Sequence, residues 1–132
     1  MLDWLANDRI VLGIPDRIWL DQVTRLCQLL PAAQGLPDIP CRILEREQLG
    51  STEIGHGVAV PHCQVEGMTG AQVAAGTIGQ ERIMFVILAA DSGSHLQALA
   101  HIAIACHDAA RVRKACLAQN PNDFRLALSG DA

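Results

Sequence analysis

The side chains able to do chemistry crowd into one run, Gly50-Ser51-Thr52-Glu53-Ile54-Gly55-His56-Gly57-Val58-Ala59-Val60-Pro61-His62-Cys63. It combines backbone freedom, hydroxyls and two imidazoles, and it ends on a proline followed directly by a histidine. His62 is the sharpest candidate. An imidazole nitrogen is a competent nucleophile near pH 7, because the unperturbed pKa of the ring is about 6.5. The preceding short apolar run and the fixed φ of Pro61 would hold the ring rather than leave it mobile. The flanking glycines would leave room for a bulky anion or a partner protein to approach. A histidine in this place could equally end a strand and hydrogen-bond a loop, and spacing alone does not separate the two readings.

Other residues bear on that choice. Gly50-x4-Gly55 superficially looks like a phosphate-binding P-loop, but such a loop needs Lys and then Ser or Thr after the second glycine. His56 and Gly57 stand there instead, and the run lies between a helix and a strand rather than the reverse. A nucleotide site is therefore rejected. His95 is expected in the first turn of a helix, where free N–H groups and the helix dipole favour anions; the plain alternative is an exposed helix-start residue. Arg46 could supply positive charge to a transferring phosphoryl group, or be a solvated surface arginine. Glu45 and Glu47 read as a solvated face. Metal chemistry is the rival, with His56, His62, Cys63, His95, His101, Cys106 and His107 as ligand types, yet none falls at His-x3-His or Cys-x2-Cys spacing. Nothing marks Cys63 as an activated thiol, so it reads as a small packed side chain.

The elements that must position these residues follow from pattern. Residues 1–8 have no clear period and read as a short helical turn or a frayed end. Arg9–Ile14 suits a first strand, after which Asp16 is expected to cap a helix with Trp19, Val23, Leu26 and Leu30 on one face. Cys41–Leu49 is helix-forming, with Gly50 as its stop. Val58–Val60 reads as a short buried strand. Ala71–Ile78 and Arg82–Ala90 read as antiparallel neighbours joined by a tight turn at Gly79-Gln80-Glu81, the second apolar on both faces and so central in a covered sheet. Ser92–Ser94 are expected to cap a helix running to about His107, with Leu96, Leu99 and Ala103 on its buried stripe and Ile102 and Cys106 alongside. A second helix over Ala109–Ala118 follows a kink near Asp108, and Asp123–Leu128 forms a last turn or two. Strands and helices intermix, which predicts an α/β sandwich with a mixed sheet.

Composition excludes several classes. A chain of 132 residues is one domain by length. Five scattered cysteines without a Cys-x2-Cys pair fit reduced thiols better than a disulfide framework. A formal charge of -4 with scattered basic residues argues against nucleic acid as a partner. The longest apolar run, Ile83–Ala90, is too short for a bilayer, and the N-terminus lacks a signal-peptide layout. No membrane insertion and a cytoplasmic location are expected.

Arg46-Glu47 followed by Leu49-Gly50-Ser51-Thr52-x-Ile54-Gly55-x-Gly57-Val58-Ala59-Val60-Pro61-His62 resembles the enzyme IIA domain of the bacterial phosphoenolpyruvate-dependent phosphotransferase system, of the fructose/mannitol class that includes the nitrogen-regulatory IIA proteins. The resemblance runs more weakly from about Ile10 to Leu128. It implies a single IIA-type domain over 1–132, built as a mixed β-sheet with helices on both faces. It implies a phosphocarrier in which His62 accepts a phosphoryl group from an HPr-type carrier protein. Arg46 and His95, the latter opening His95-Leu96-x-x-Leu99, would line the site and bind the phosphoryl group, offsetting its charge, with His95 donating a hydrogen bond to a phosphoryl oxygen, and Thr52 is a candidate for a minor role. No metal or organic cofactor is implied. The onward partner would be a IIB domain or a regulatory target protein. The absence of a fused transporter domain favours the nitrogen-regulatory reading over a sugar-delivering component, and a degenerate binding module is the remaining alternative. Two departures stand out. The family usually has a longer hairpin between the strands at 71–78 and 82–90, which bears on partner docking, and commonly has glycine where Cys63 stands.

Overall fold

Two long apolar strands set the architecture. In a computed structural model that describes residues 2–130, β5 (Ala71–Ile78) and β6 (Arg82–Ala89) pair antiparallel from Ala71↔Ala89 to Ile78↔Arg82. Around them lie β1 (Ile10–Ile14), β2 (Glu53–Gly55), β3 (Val58–Ala59) and β4 (His62–Gln64). The order is β1-β5-β6-β3-β2, and β4 also pairs with β6. β1 runs parallel to β5, and both β3 and β4 run parallel to β6, so the sheet is mixed as expected. β3 and β4 lie end to end along one edge of β6, with Val60 and Pro61 between them. A proline has no N–H for the ladder, which explains the interruption.

β6 is buried on both faces because helices cover both. Ile83, Phe85, Ile87 and Ala89 pack beneath α3 (Ser92–Ala105), α4 (Ala109–Cys116) and α5 (Pro121–Ser129). Met84, Val86 and Leu88 pack beneath α1 (Trp19–Cys27) and α2 (Ile39–Glu47). This is the period-two alternation of a covered strand. No helix among the described residues is long and apolar enough to cross a membrane.

Several local expectations are corrected. Asp16 does not cap α1, whose N-cap Ile18 makes no side-chain bond; Asp16 instead pairs with Arg82 across the sheet edge. The cap of α3 is Asp91, whose carboxylate accepts from Ser94 N at 2.8 Å, rather than the serines after it. A carboxylate one residue before the first turn reaches back-facing donors that Ser92 and Ser94, already inside the helix, cannot. The buried stripe of α3 is Ala98, Ile102 and Ala105, with Leu99 partly covered, while Leu96 is 60% exposed and Ala103 lies outside. Of the two readings of residues 1–8, a short helical turn is found at Asn7–Arg9, and from Leu2 on the segment is anchored: Leu2 and Leu5 join the core and Trp4 sits over Phe85, with ring centroids 6.1 Å apart. The kink near Asp108 is real, since its carboxylate accepts from Ala110 N and Arg111 N to start α4.

The last helix depends on one cap. Asn120 Oδ1 accepts from Asp123 N at 2.9 Å, Pro121 occupies the first turn, and Gly130 closes the helix at φ 79°. Asn120→Ala is expected to lower stability by about 1 kcal/mol in chemical denaturation. Because Phe124 and Leu128 of this helix are core residues, the loss should appear in the single cooperative transition and not as local fraying.

Candidate functional site

His62 opens β4 and pairs in register with Ile87 of β6. Parallel partners share a face, so its ring lies on the α3 side. There it stacks on His95 with centroids 4.0 Å apart and an interplanar angle of 23°. Arg46, on the last turn of α2, closes the same cavity of about 250 Å³, together with Thr52, Ile54 and Leu99. All four singled-out residues, Arg46, Thr52, His62 and His95, thus meet in one place, from α2, the segment leading into β2, β4 and α3. Cys63 pairs with Leu88 and faces the opposite way, into the cluster under α1 and α2. Adjacent in sequence, the two side chains are on different sides of the sheet.

The His62 ring is fixed. Its Nδ1 lies 3.0 Å from the carbonyl oxygen of Val60. A carbonyl only accepts, so Nδ1 carries the proton and donates, and the neutral ring presents its lone pair at Nε2. Val60 N in turn donates to Thr52 O at 3.1 Å. Thr52 is gripped by Glu47: its N–H donates to Oε1 at 3.1 Å and its hydroxyl to Oε2 at 2.7 Å. Glu47 is therefore no solvated residue, contrary to the reading from sequence. A carboxylate five residues before a threonine, across a helix stop, was the available signal. Arg46 Nη1 donates to Gly50 O at 3.3 Å, which bends the same segment back onto α2.

The glycines have a different task from the clearance expected of them. Gly55 pairs with Val58, and the two residues between, His56 and Gly57, have φ of 54° and 75°. Positive φ at both centres is the two-residue hairpin turn whose twist matches its strands. A Cβ on Gly57 would come within 3.0 Å of Glu81 O, so this position also needs glycine for close approach to the start of β6. No glycine lines the His62 cavity.

Electrostatics act on His95. His95 has its pKa lowered, first by burial, then by repulsion from His62 and from Arg46. Its Nδ1 is buried without a hydrogen-bond partner. The start of α3 offers fewer free donors than expected, because Asp91 takes the Ser94 N–H on its carboxylate and the His95 N–H on its carbonyl. Hydrogen bonds from Ser94, the backbone N–H first, and a lesser one from Gly93 hold the Asp91 carboxyl below its usual range. For His95 the linkage runs one way. Below the ordinary value of 6.5 the unfolded chain takes up a proton that the folded ring resists, so stability is full above that pH and falls as pH drops through the lowered folded value. Titration of the His95 Cε1–H resonance is expected to show that low midpoint, and His62→Gln should raise it partway by removing one of the two repelling charges.

The rival chemistries find no arrangement. Among the described residues no group of three or more His, Cys, Asp or Glu could hold a metal ion. His101 stacks on Trp4 at 5.9 Å, His107 contacts the Ile104 carbonyl, and His56 sits at the hairpin tip, all apart from His62. The Cys63 thiol is pushed up chiefly by burial, and those of Cys27 and Cys106 up to about 12 by burial and then a neighbouring thiol. These are packed, unreactive sulfurs. Cys41 alone of the five is exposed.

Comparison with known proteins bears on the fold and the family. A nitrogen regulatory protein from Pseudomonas putida is 47% identical over 32 residues, a segment covering 24% of this chain and only 36% of that protein. The fold is similar to nitrogen regulatory protein IIA-Ntr from Neisseria meningitidis, at 22% identity and a TM-score of 0.73 over 96% of this chain and 97% of that one. It is also similar to enzyme IIA mannitol from Escherichia coli, solved in complex with phosphorylated enzyme IIB mannitol, at 21% identity and a TM-score of 0.69 over 96% and 97%. At these identities the two structures speak for the fold alone. The model of the family described as "Phosphoenolpyruvate-dependent sugar phosphotransferase system, EIIA 2" matches residues 19–130, and the chain belongs to that family.

Proposed function

We propose that this single domain is a phosphocarrier that accepts a phosphoryl group on His62 Nε2 from an HPr-type carrier protein. The observation that carries the reading is the Val60 carbonyl on Nδ1, which leaves Nε2 as the lone pair in a cavity shared with Arg46 and His95. The Nε2 pair attacks phosphorus in line. The P–N bond to the donor imidazole breaks, its electrons return to the donor ring, and a new P–Nε2 bond forms. Arg46 offsets the charge on the equatorial oxygens, and His95 supports the phosphorylated ring by stacking. Positioning and charge neutralisation suffice for such transfers, and no metal or organic cofactor enters. Thr52 has the lesser part of shaping the backbone beside the ring.

The nitrogen-regulatory role is favoured by the high local identity to the Pseudomonas putida nitrogen regulatory protein. The phosphorylated and free forms would then differ in binding to a regulatory target in the cytoplasm. A second reading, delivery to a sugar-specific IIB domain, draws on the mannitol IIA structure solved with its phosphorylated IIB partner. Incubation with phosphoenolpyruvate, enzyme I and HPr is expected to give about one acid-labile, base-stable phosphate per chain. Absence of label would overturn both readings in favour of a phosphorylation-insensitive binding module. Onward transfer to a IIB domain would select sugar delivery over regulation.

A further inference from the structure

We infer that Glu47 is a positioning residue that sets the tautomer of His62 by withdrawing a backbone donor from the β2–β3 ladder. The inference rests on the reading of His62 as the phosphoacceptor only for its consequence for transfer; its structural content stands apart.

The ladder shows the withdrawal directly. In an antiparallel pair, residues of a hydrogen-bonded pair exchange two bonds, each N–H going to the other's carbonyl. Glu53 pairs with Ala59, so the next residues outward, Thr52 and Val60, face each other. Val60 N does donate to Thr52 O, at 3.1 Å. The reciprocal bond is missing, because Thr52 N donates to Glu47 Oε1 instead, at 3.1 Å, while the same carboxylate holds the Thr52 hydroxyl through Oε2 at 2.7 Å. The Val60 carbonyl is thereby left without its ladder donor. Val60 is 1% exposed, and a buried carbonyl without a partner is unfavourable. His62 Nδ1–H fills the place at 3.0 Å.

Each step is a choice between two donors for one acceptor. With Glu47 present, Thr52 N–H is taken, Val60 O is open, and the ring is held with its proton on Nδ1 and its lone pair on Nε2. Without the carboxylate, Thr52 N–H can swing onto Val60 O and complete the ladder. The ring then loses its only acceptor and is free to carry its proton on Nε2, where no nucleophilic pair remains in that tautomer. Glu47 touches neither ring nor phosphoryl group and acts through Thr52 and Val60.

Long-range ¹H–¹⁵N correlation spectra of the ¹⁵N-labelled full chain at pH 8 read the tautomer of each neutral histidine. Wild type and Glu47→Gln are expected to show His62 protonated at Nδ1, because the glutamine amide can accept from Thr52 N and still bond its hydroxyl. Glu47→Ala is expected to move His62 toward the Nε2–H form, and Glu47→Met makes the same test with the volume filled should the alanine variant not fold. Labelling from HPr should fall about tenfold or more in Glu47→Ala and less than twofold in Glu47→Gln. A wild-type ring protonated at Nε2, or a tautomer unmoved in both the Ala and Met variants, overturns the inference. If the tautomer moves as expected while wild type takes no phosphate, the inference stands and the phosphoacceptor reading fails; labelling with an unmoved tautomer gives the reverse.

Discussion

His62→Gln is expected to abolish phosphoenolpyruvate-dependent labelling while leaving the fold intact. Glutamine keeps a hydrogen-bonding group near the Val60 carbonyl and a comparable length, so β4 should keep its register on β6. It supplies no nucleophilic nitrogen, because an amide lone pair is delocalised into its carbonyl. The other imidazoles cannot substitute. His95, stacked 4.0 Å away, holds its Nδ1 buried, and His56, His101 and His107 lie outside the cavity. Arg46→Gln is the instructive companion. It leaves the nucleophile in place and removes the charge that offsets the phosphoryl oxygens, so labelling should persist but slow by about 10²–10³-fold, the scale on which single preorganised electrostatic groups act. Quantifying acid-labile phosphate against time separates the two outcomes. Residual label on His62→Gln at the wild-type level would move the phosphoacceptor to another residue.

Phe85→Ala should be the most destabilising single change in the chain, at about 3–5 kcal/mol. Phe85 is fully buried at the middle of β6, and its ring touches Trp4 on one side and Phe124 on the other, with centroids at 6.1 and 6.4 Å. Its cross-strand partner is Ala75, too small to expand into the space. The strand is held on both edges by β5 and by β3 and β4, so the backbone cannot collapse onto the void. The loss is a large fraction of the ~5–15 kcal/mol that such a domain has in total. Thermal unfolding should shift down by about 10–20 °C. Below that transition the cavity around His62 should remain assembled, since Ile87 keeps its ladder pairings to His62 and to Val73. A shift below about 1 kcal/mol would show that the neighbouring helices repack freely.

Legibility from sequence followed the length of the signal. β5 and β6 could be read because eight consecutive residues each carry the same message, and their short turn fixed them as antiparallel. β4 could not: His62-Cys63-Gln64 has no pattern of its own and is a strand only because β6 offers it an edge. The motif ending in Pro61-His62 singled out the histidine proposed as nucleophile and, through family resemblance, pointed to Arg46 and His95, which share its cavity. The supports of the site were harder to see. Asp91 was passed over for the serines after it, since all are good caps and only geometry decides which carboxylate or hydroxyl reaches back. Leu96 was placed in the core by periodicity, yet α3 turns a narrow, alanine-lined face to the sheet and leaves Leu96 outside. Glu47 looked like one more surface acid because its partner, Thr52, lies beyond a helix end, where helical spacing no longer predicts neighbours.

The distribution of the thiols has a practical consequence. Four of the five are packed or partly packed, and only Cys41 is exposed, at the beginning of the helix whose far end carries Arg46 and Glu47. A maleimide dye at neutral pH should therefore attach at a single position without any cysteine being engineered away. That dye would sit one short helix from the end of α2 that carries Arg46 to the His62 cavity. The native chain thus comes with a ready-made optical probe, suited to testing whether a candidate partner docks and how long it stays.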